Sequence, residues 1–426
     1  MTVTLPSRAR SDRSATTSRR HARPGRSRAS SQLAERRRAA LESAQKGRSG
    51  GRRRRRYQEA VGRDPKPLGF YVIAAVTFAL VAFGLVMVLS SSAIVSFHRG
   101  RSPWYYFEKQ VVWAILGTVV LLFTYRMPLK VIHTTARVLP PVAIVMMLAA
   151  FTPGLGRPVN GARAWIYIGE YSIQPSEFMK LALVVYGADL LTRREKQLAD
   201  FREGMMPYLS MVGIGAGISL AQSDLGSCVV ISAIGMSMLF LAGAPLRTLG
   251  LLTGGGLGVF LLYARLDSTK WERLTSFLDI DGTRETTGYQ VYQGLISLSN
   301  GGLTGTGIGA GTGKWGYVPL AHSDFIFTVV GEEMGLLGVL GLLALFVTLI
   351  YFAFQVALSC RHRFGFLLAA GIGCWFIVQI AVNIGGVIRV FPVTGLTLPF
   401  ISFGGSSLLA SMAAAGLLMN VARRPR

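Results

Sequence analysis

Long uninterrupted apolar blocks limit this chain more than any other feature. They run near 20 residues and lack the spaced apolar stripe of a soluble amphipathic helix. About 20 apolar residues cross the hydrocarbon of a bilayer as a helix, and a helix satisfies its backbone polar groups internally, as lipid requires. Charged residues make up only 15% of the 426, too few for an ordinary soluble domain. The chain therefore reads as an all-α polytopic membrane protein. Ten transmembrane helices can be laid out, at about 68–95, 110–125, 138–152, 177–192, 205–221, 226–243, 246–263, 325–357, 364–388 and 397–421. Pro140–Pro141 is expected to open or kink the third span. No internal repeat stands out.

Charge sets the expected orientation. Residues 1–67 hold 20 Lys/Arg against 5 Asp/Glu, out of a net +24 for the chain. This tail includes the run "GRRRRR", Gly51 to Arg56, and has too little apolar surface to fold, so it is expected to be a disordered basic cytoplasmic arm. It is not a signal peptide, because the first apolar block starts only near Leu68. It could fix topology and touch anionic lipid, or bind a protein partner. A nucleic-acid partner is not expected, since interleaved aromatics and a folded reading module are missing.

With the tail inside, the inner connections "YRMPLKVIHTTAR", "TRREKQLADFREG", "AGAPLR" and "SCRHRFG" and the short basic end 422–426 all carry Lys or Arg, while the outer turn "AQSDLGS" has none. Arg99, Arg101 and Lys109 in the first outer loop run against the rule. An even span count places both termini in the cytoplasm. Residues 68–421 then form one membrane domain with two long outer connections, 153–176 and 264–323, the second between the seventh and eighth helices. Connections this long usually carry function or structure of their own. The three cysteines, Cys228, Cys360 and Cys374, follow no disulfide or metal pattern.

Polar residues concentrate at those connections. "LAHSDFIFTVVGEEMG", Leu320 to Gly335, sets His322, Asp324, Glu332 and Glu333 at the threshold of an apolar run. Ionisable groups at such a place usually face protein or a watery cavity. With a helix starting at Ser323 as N-cap, Asp324 falls in the first turn. Glu332 then lies about 12 Å further along, near the outer interface. Glu333 projects to the face opposite Asp324, so no single carboxylate pair is expected. Asp324 is either a catalytic carboxylate or a helix-start anion favoured by the dipole.

"GGLTGTGIGAGTGKWGYVP", Gly301 to Pro319, is not a nucleotide loop: Trp315 follows Gly313–Lys314 where Ser or Thr is needed, and Ile308 stands where the first glycine should. Its backbone and Lys314 could hold a pyrophosphate, or the run could be a linker. In the first long connection lie Arg157, Arg163 and Trp165. Glu177 and Lys180 follow at i,i+3 and suit a structural ion pair. Asp224 and Arg389 are weaker candidates.

Five stretches occur together and in order: "IQPSEFMKLALV", "QSDLG", "GYQVYQGLISLSNGG", "AHSDFIFTVVGEEMGLLG" and "FPVTGLTLPFISFGGSSLL". Over roughly 68–421 they resemble the SEDS family of cell-wall proteins, which includes FtsW, RodA and SpoVE. "AHSDFIF" and "VVGEE" look more like the FtsW branch, and the basic arm resembles extensions seen in actinobacteria. The resemblance implies a peptidoglycan glycosyltransferase that polymerises lipid II at the outer face of the cytoplasmic membrane, at the division septum.

The resemblance implies Asp324 as general base, and substrate contacts from Arg163, Trp165, Lys314, His322 and Gln293. Glu177, Lys180, Glu332, Glu333 and Asp224 would support them. It also implies a divalent cation (Mg or Mn) as the one conceivable cofactor, with no ligand spacing in this chain to show it. Expected partners are undecaprenyl-pyrophosphate-linked glycan, a class B penicillin-binding protein and other division proteins. The chain departs from the family pattern at Ala164, Gly313, Leu320 and Arg389, which loosens the assignment of the pyrophosphate site. A lipid II flippase, a RodA-like elongation polymerase and a scaffold are the competing readings.

Overall fold

The computed structural model describes residues 67–159, 161–286 and 288–423; the basic arm of the sequence reading lies outside them but for Pro67. Fourteen α-helices and one small sheet make up the described chain. α1 (Leu68–His98) begins directly after the extended Pro67, and α2 (Tyr105–Arg126) follows a tight turn. α3 (Leu129–Thr135) and α4 (Leu139–Ala149) are two short helices bent by 46°. The expected kink is there, a few residues ahead of Pro140–Pro141, which stand in the first turn of α4. Then come β1 (Gly156–Val159), β2 (Ala162–Ile168), β3 (Tyr171–Ile173) and α5 (Pro175–Arg193).

α6 (Met206–Ala221), α7 (Leu225–Ala242) and α8 (Leu246–Arg265) complete the first part. The large connection holds α9 (Ser268–Thr275), α10 (Ile280–Thr283) and α11 (Tyr289–Asn300). Last are α12 (Ile326–Leu358), α13 (Arg363–Val387) and α14 (Gly405–Ala422).

Among the described residues eight helices are long and apolar enough to cross a membrane, or nine if α3 and α4 count as one bent span. The sequence reading had ten. The difference is α5, whose 19 residues include Glu177, Lys180, Asp189 and Arg193. The last span is also shorter than read, because 397–404 is irregular backbone and the helix starts at Gly405.

Small residues decide which helices meet. α14 is almost wholly enclosed, and packs most closely on α2. Its Gly416 lies so near Thr124 and the Leu121 carbonyl that no side chain fits there, the close approach that small residues permit between membrane helices. Asn420 of α14 then donates to the carbonyls of Thr124, Tyr125 and Met127 at 2.9, 2.9 and 2.6 Å. These are acceptors that the end of α2 cannot satisfy within itself. α5 packs on α4, α7 and α13. α8 is the least enclosed of the spanning helices.

The connection 153–176, read from sequence as an outer loop, is an antiparallel sheet in the order β1-β2-β3, with Arg157 opposite Trp165 and Ile166 opposite Ile173. The alternation in "ARAWIYI" carries it: Ala164 and Ile166 are buried on one face while Arg163, between Ala162 and Ala164, is exposed on the other.

Candidate active site

The turn before α12 is held from outside. The sequence reading started this helix at Ser323; it starts at Ile326, and Phe325 caps it with no side-chain bond. Asp324 is therefore not a first-turn anion, and the dipole argument for it falls. Instead, three successive carbonyls are taken by donors from distant segments. His322 O accepts from Phe403 N at 2.9 Å, Ser323 O from Ser402 Oγ at 2.6 Å, and Asp324 O from Asn383 Nδ2 at 3.0 Å. Leu320 enters the turn at φ 54°, a strained conformation for a branched side chain.

The half-buried Asp324 lines a small cavity with Asn383, Gly386, Thr394, Gly395 and Leu396. Gly395 has φ +68°, and a Cβ there would lie 3.5 Å from Oδ2 of Asp324, so the carboxylate faces a wall without a side chain. Burial raises the Asp324 pKa to about 6; a hydrogen bond from Ser323 works against this and the Asp224 carboxylate adds to it. A carboxylate poised there is ionised at pH 7 yet basic enough to take a proton.

His322 is buried between Tyr106 and Phe403, ring centroids 4.7 and 5.8 Å away. Its Nδ1 has no partner among the described residues. Burial, with the Arg99 charge adding to it, lowers its pKa to about 4, so the ring is neutral. It abuts Asp324 in the chain but presents little surface to a ligand.

The glycine run is anchored by the two glutamates, which are both buried in the protein. Glu332 Oε1 accepts from Thr312 N and Thr312 Oγ1, both at 2.8 Å, and Oε2 accepts from Gly313 N at 3.1 Å and Ser297 Oγ at 2.5 Å. Glu333 takes Lys314 Nζ at 2.6 Å and Ser90 Oγ at 2.7 Å. Lys314 is 2% exposed. Its ammonium, a candidate contact for a pyrophosphate, is paired with Glu333.

The same run threads a break in α12. Gly335 sits at φ 63°, ψ −164°; around it Thr306 N and Gly307 N reach the carbonyls of Glu332 and Glu333, while Leu336 N and Leu337 N reach those of Gly302 and Leu303. Gln293 lies half-buried on α11.

On the other flank the side chain of Arg163 is exposed and Trp165 is half-buried; Arg163 N bonds Gln222 O at 2.9 Å, docking β2 on the α6–α7 turn. Asp224 caps α7 through Ser227 N at 2.9 Å and accepts from Gln174 Nε2 at 3.0 Å. Glu177 and Lys180 form the ion pair read from their spacing, at 2.7 Å and fully buried. Gln379 accepts from Lys180 Nζ at 2.8 Å. Arg389 donates to the carbonyls of Phe277 and Leu278, tying the large connection to the end of α13.

The structure thus sets Asp224 within electrostatic reach of Asp324, packs the His322 ring between Tyr106 and Phe403, and sets Lys314, Glu332 and Glu333 under the glycine run. The sequence reading missed Asn383 and Gln379. Two amides four residues apart in an otherwise apolar helix were the available signal, since such groups in a membrane need a partner. Among the described residues no three His, Cys, Asp or Glu side chains come together to hold a metal.

Fold and site define a multi-pass membrane protein with a turn-held carboxylate at the start of a spanning helix. The family model for the cell cycle proteins FtsW, RodA and SpoVE matches residues 71–426, and the chain belongs to that family. It is 36% identical over 354 residues to a protein of Mycobacterium tuberculosis named probable peptidoglycan glycosyltransferase FtsW, covering 83% of this chain and 68% of that one.

Among solved structures, a chain from a peptidoglycan synthase complex that coordinates polymerization and crosslinking matches with TM-score 0.69 and 28% identity, over 84% of this chain and 98% of that one. The rod shape determining protein RodA of Thermus thermophilus matches with TM-score 0.62 and 28% identity, over 86% and 99%.

Proposed function

We infer that the chain is a peptidoglycan glycosyltransferase of the FtsW kind, polymerising lipid II during septal wall synthesis. One observation carries the chemistry: Asp324, in the turn "AHSDFIF", lines a cavity with its carboxyl pKa raised to about 6. The 4-hydroxyl of the acceptor sugar attacks C1 of the donor. The C1–O bond to the pyrophosphate breaks, and undecaprenyl pyrophosphate leaves with the bonding electrons. The hydroxyl proton passes to Asp324. One displacement inverts the anomeric centre, so no covalent enzyme intermediate is needed. Arg163, exposed on β2, would face the leaving pyrophosphate.

The termini are placed in the cytoplasm and the glycine run and sheet outside, with a class B penicillin-binding protein as partner. A transport path for lipid II would need free charges within the bundle. Glu177 and Lys180 are paired with each other, and Arg389 is bound to loop carbonyls.

The test is polymerisation of lipid II by the purified chain with its transpeptidase partner, native against Asp324→Asn, with and without chelator. Glycan strands from the native protein and none from a folded Asp324→Asn are expected. Equal product from both would remove Asp324 from the mechanism, and loss of product on chelation would bring a divalent ion into it.

A further inference from the structure

We propose that Asn383 is a positioning residue for Asp324, a role that rests on the reading of Asp324 as the base. Its Nδ2 donates to two carbonyls at once, Asp324 O at 3.0 Å and Leu396 O at 2.6 Å. Three separately folded pieces therefore meet on one amide: α13, the turn before α12, and the irregular segment leading to α14. Asn383 is 5% exposed, so these bonds do not compete with bulk water. Breaking them would leave two carbonyls in a site with little solvent, which is costly. The other donors to this turn, Ser402 Oγ and Phe403 N, act one and two residues earlier; Asn383 alone of the three bonds the Asp324 carbonyl.

The same amide aligns both walls of the cavity. Leu396 adjoins Gly395, whose side-chain-free face looks toward Oδ2 of Asp324. Holding Leu396 O and Asp324 O on one nitrogen fixes the distance between carboxylate and opposite wall. Asn383 also lines this cavity, and its Oδ1 is buried with no partner among the described residues. Asp224, at the start of α7, is the other charged group that bears on Asp324, and the neighbouring His322 is neutral.

The experiment compares Asn383→Ala and Asn383→Asp with the native chain in the partner complex, reading turnover and KM for lipid II between pH 5 and 8. Asn383→Ala should lose turnover by about ten- to a hundredfold, the cost of a base displaced by about 1 Å, with KM little changed. Its acid limb should move below about 6 as water enters and the desolvation that raises the base is relieved. Asn383→Asp keeps the size of the side chain. It should move the acid limb upward, because a second carboxylate beside Asp324 disfavours ionisation.

A remote packing role would move neither limb. Unchanged turnover and unmoved limb in Asn383→Asp overturn the proposal, even should Asn383→Ala fail to fold. Asp324→Asn is run alongside: full activity there overturns the general-base reading together with this one, whereas its inactivity beside unaffected Asn383 variants overturns the positioning role alone.

Discussion

Lys314 Nζ lies 2.6 Å from Glu333 Oε1, and both side chains are shut away from solvent. The ion pair joins the glycine run to α12, with Ser90 of α1 bonded to both partners. A buried pair is poor proof of added stability, but removing one member leaves an uncompensated charge and costs about 3–5 kcal/mol. Glu333→Gln and Lys314→Met should each lower the melting temperature in detergent and open residues 301–319 to proteolysis. The double variant should recover much of the loss. Additive losses in the double variant would show that the two charges do not act as a pair.

The rate of polymerisation should rise with pH through about 6, the Asp324 value. Below it the carboxyl is protonated and cannot accept the hydroxyl proton; above it the carboxylate is available. His322 does not titrate in this window, because its pKa is lowered to about 4, so His322→Gln should keep the same acid limb. Stability has the opposite sign. The folded protein holds the Asp324 proton up to about 6 while the unfolded chain releases it near its ordinary value, so the contribution of this group falls as pH rises across that interval. Initial rates and melting curves from pH 4 to 8 check both; a limb near 4 would show that burial does not raise this carboxyl.

Gly335→Ala should unstitch the glycine run. The residue sits at φ 63°, and a Cβ would fall against Gly305 N and Leu303 O. Strain of this kind costs about 1–3 kcal/mol, before the steric conflict is counted. Hydrogen exchange at Thr306, Gly307, Leu336 and Leu337, whose amides make the four bonds across the break, should become faster. Native protection there would refute the account.

Gly226→Ala strikes the cavity from behind. A Cβ on Gly226 would lie 2.5 Å from Thr394 O and 2.9 Å from the Leu396 side chain. Backbone cannot yield as a flexible side chain does, so the segment 394–396 must shift away from Asp324. Overpacking of this sort costs about 1–3 kcal/mol. Polymerisation should drop at least about tenfold, on the same displacement argument, while the protein still folds and binds its partner. Native activity in a folded Gly226→Ala would show that the segment can move without disturbing the base.

The membrane class was legible along the chain because hydrocarbon imposes a local rule. Each span must be apolar over its own length and must satisfy its own backbone, so blocks such as 68–95 declare themselves without reference to the rest. The i,i+3 pairing of Glu177 with Lys180 was legible for a similar reason: helix geometry alone sets it. Composition placed Asp324 only among several polar candidates near "AHSDFIF"; the resemblance to the SEDS family is what singled it out.

What only tertiary structure decided is how that residue is held. Its carbonyl is bonded by Asn383, 59 positions away, and its carboxylate shares a cavity with Gly395. The pairing of Lys314 with Glu333 was not legible, because a fold in the chain rather than spacing brings the two together. The start of α12 shifted from Ser323 to Ile326 because donors from 383, 402 and 403 occupy the carbonyls of the preceding turn. Local pattern encodes what a segment does with its own backbone; where a buried charge finds its counter-charge is a property of long-range packing, which no window of sequence contains.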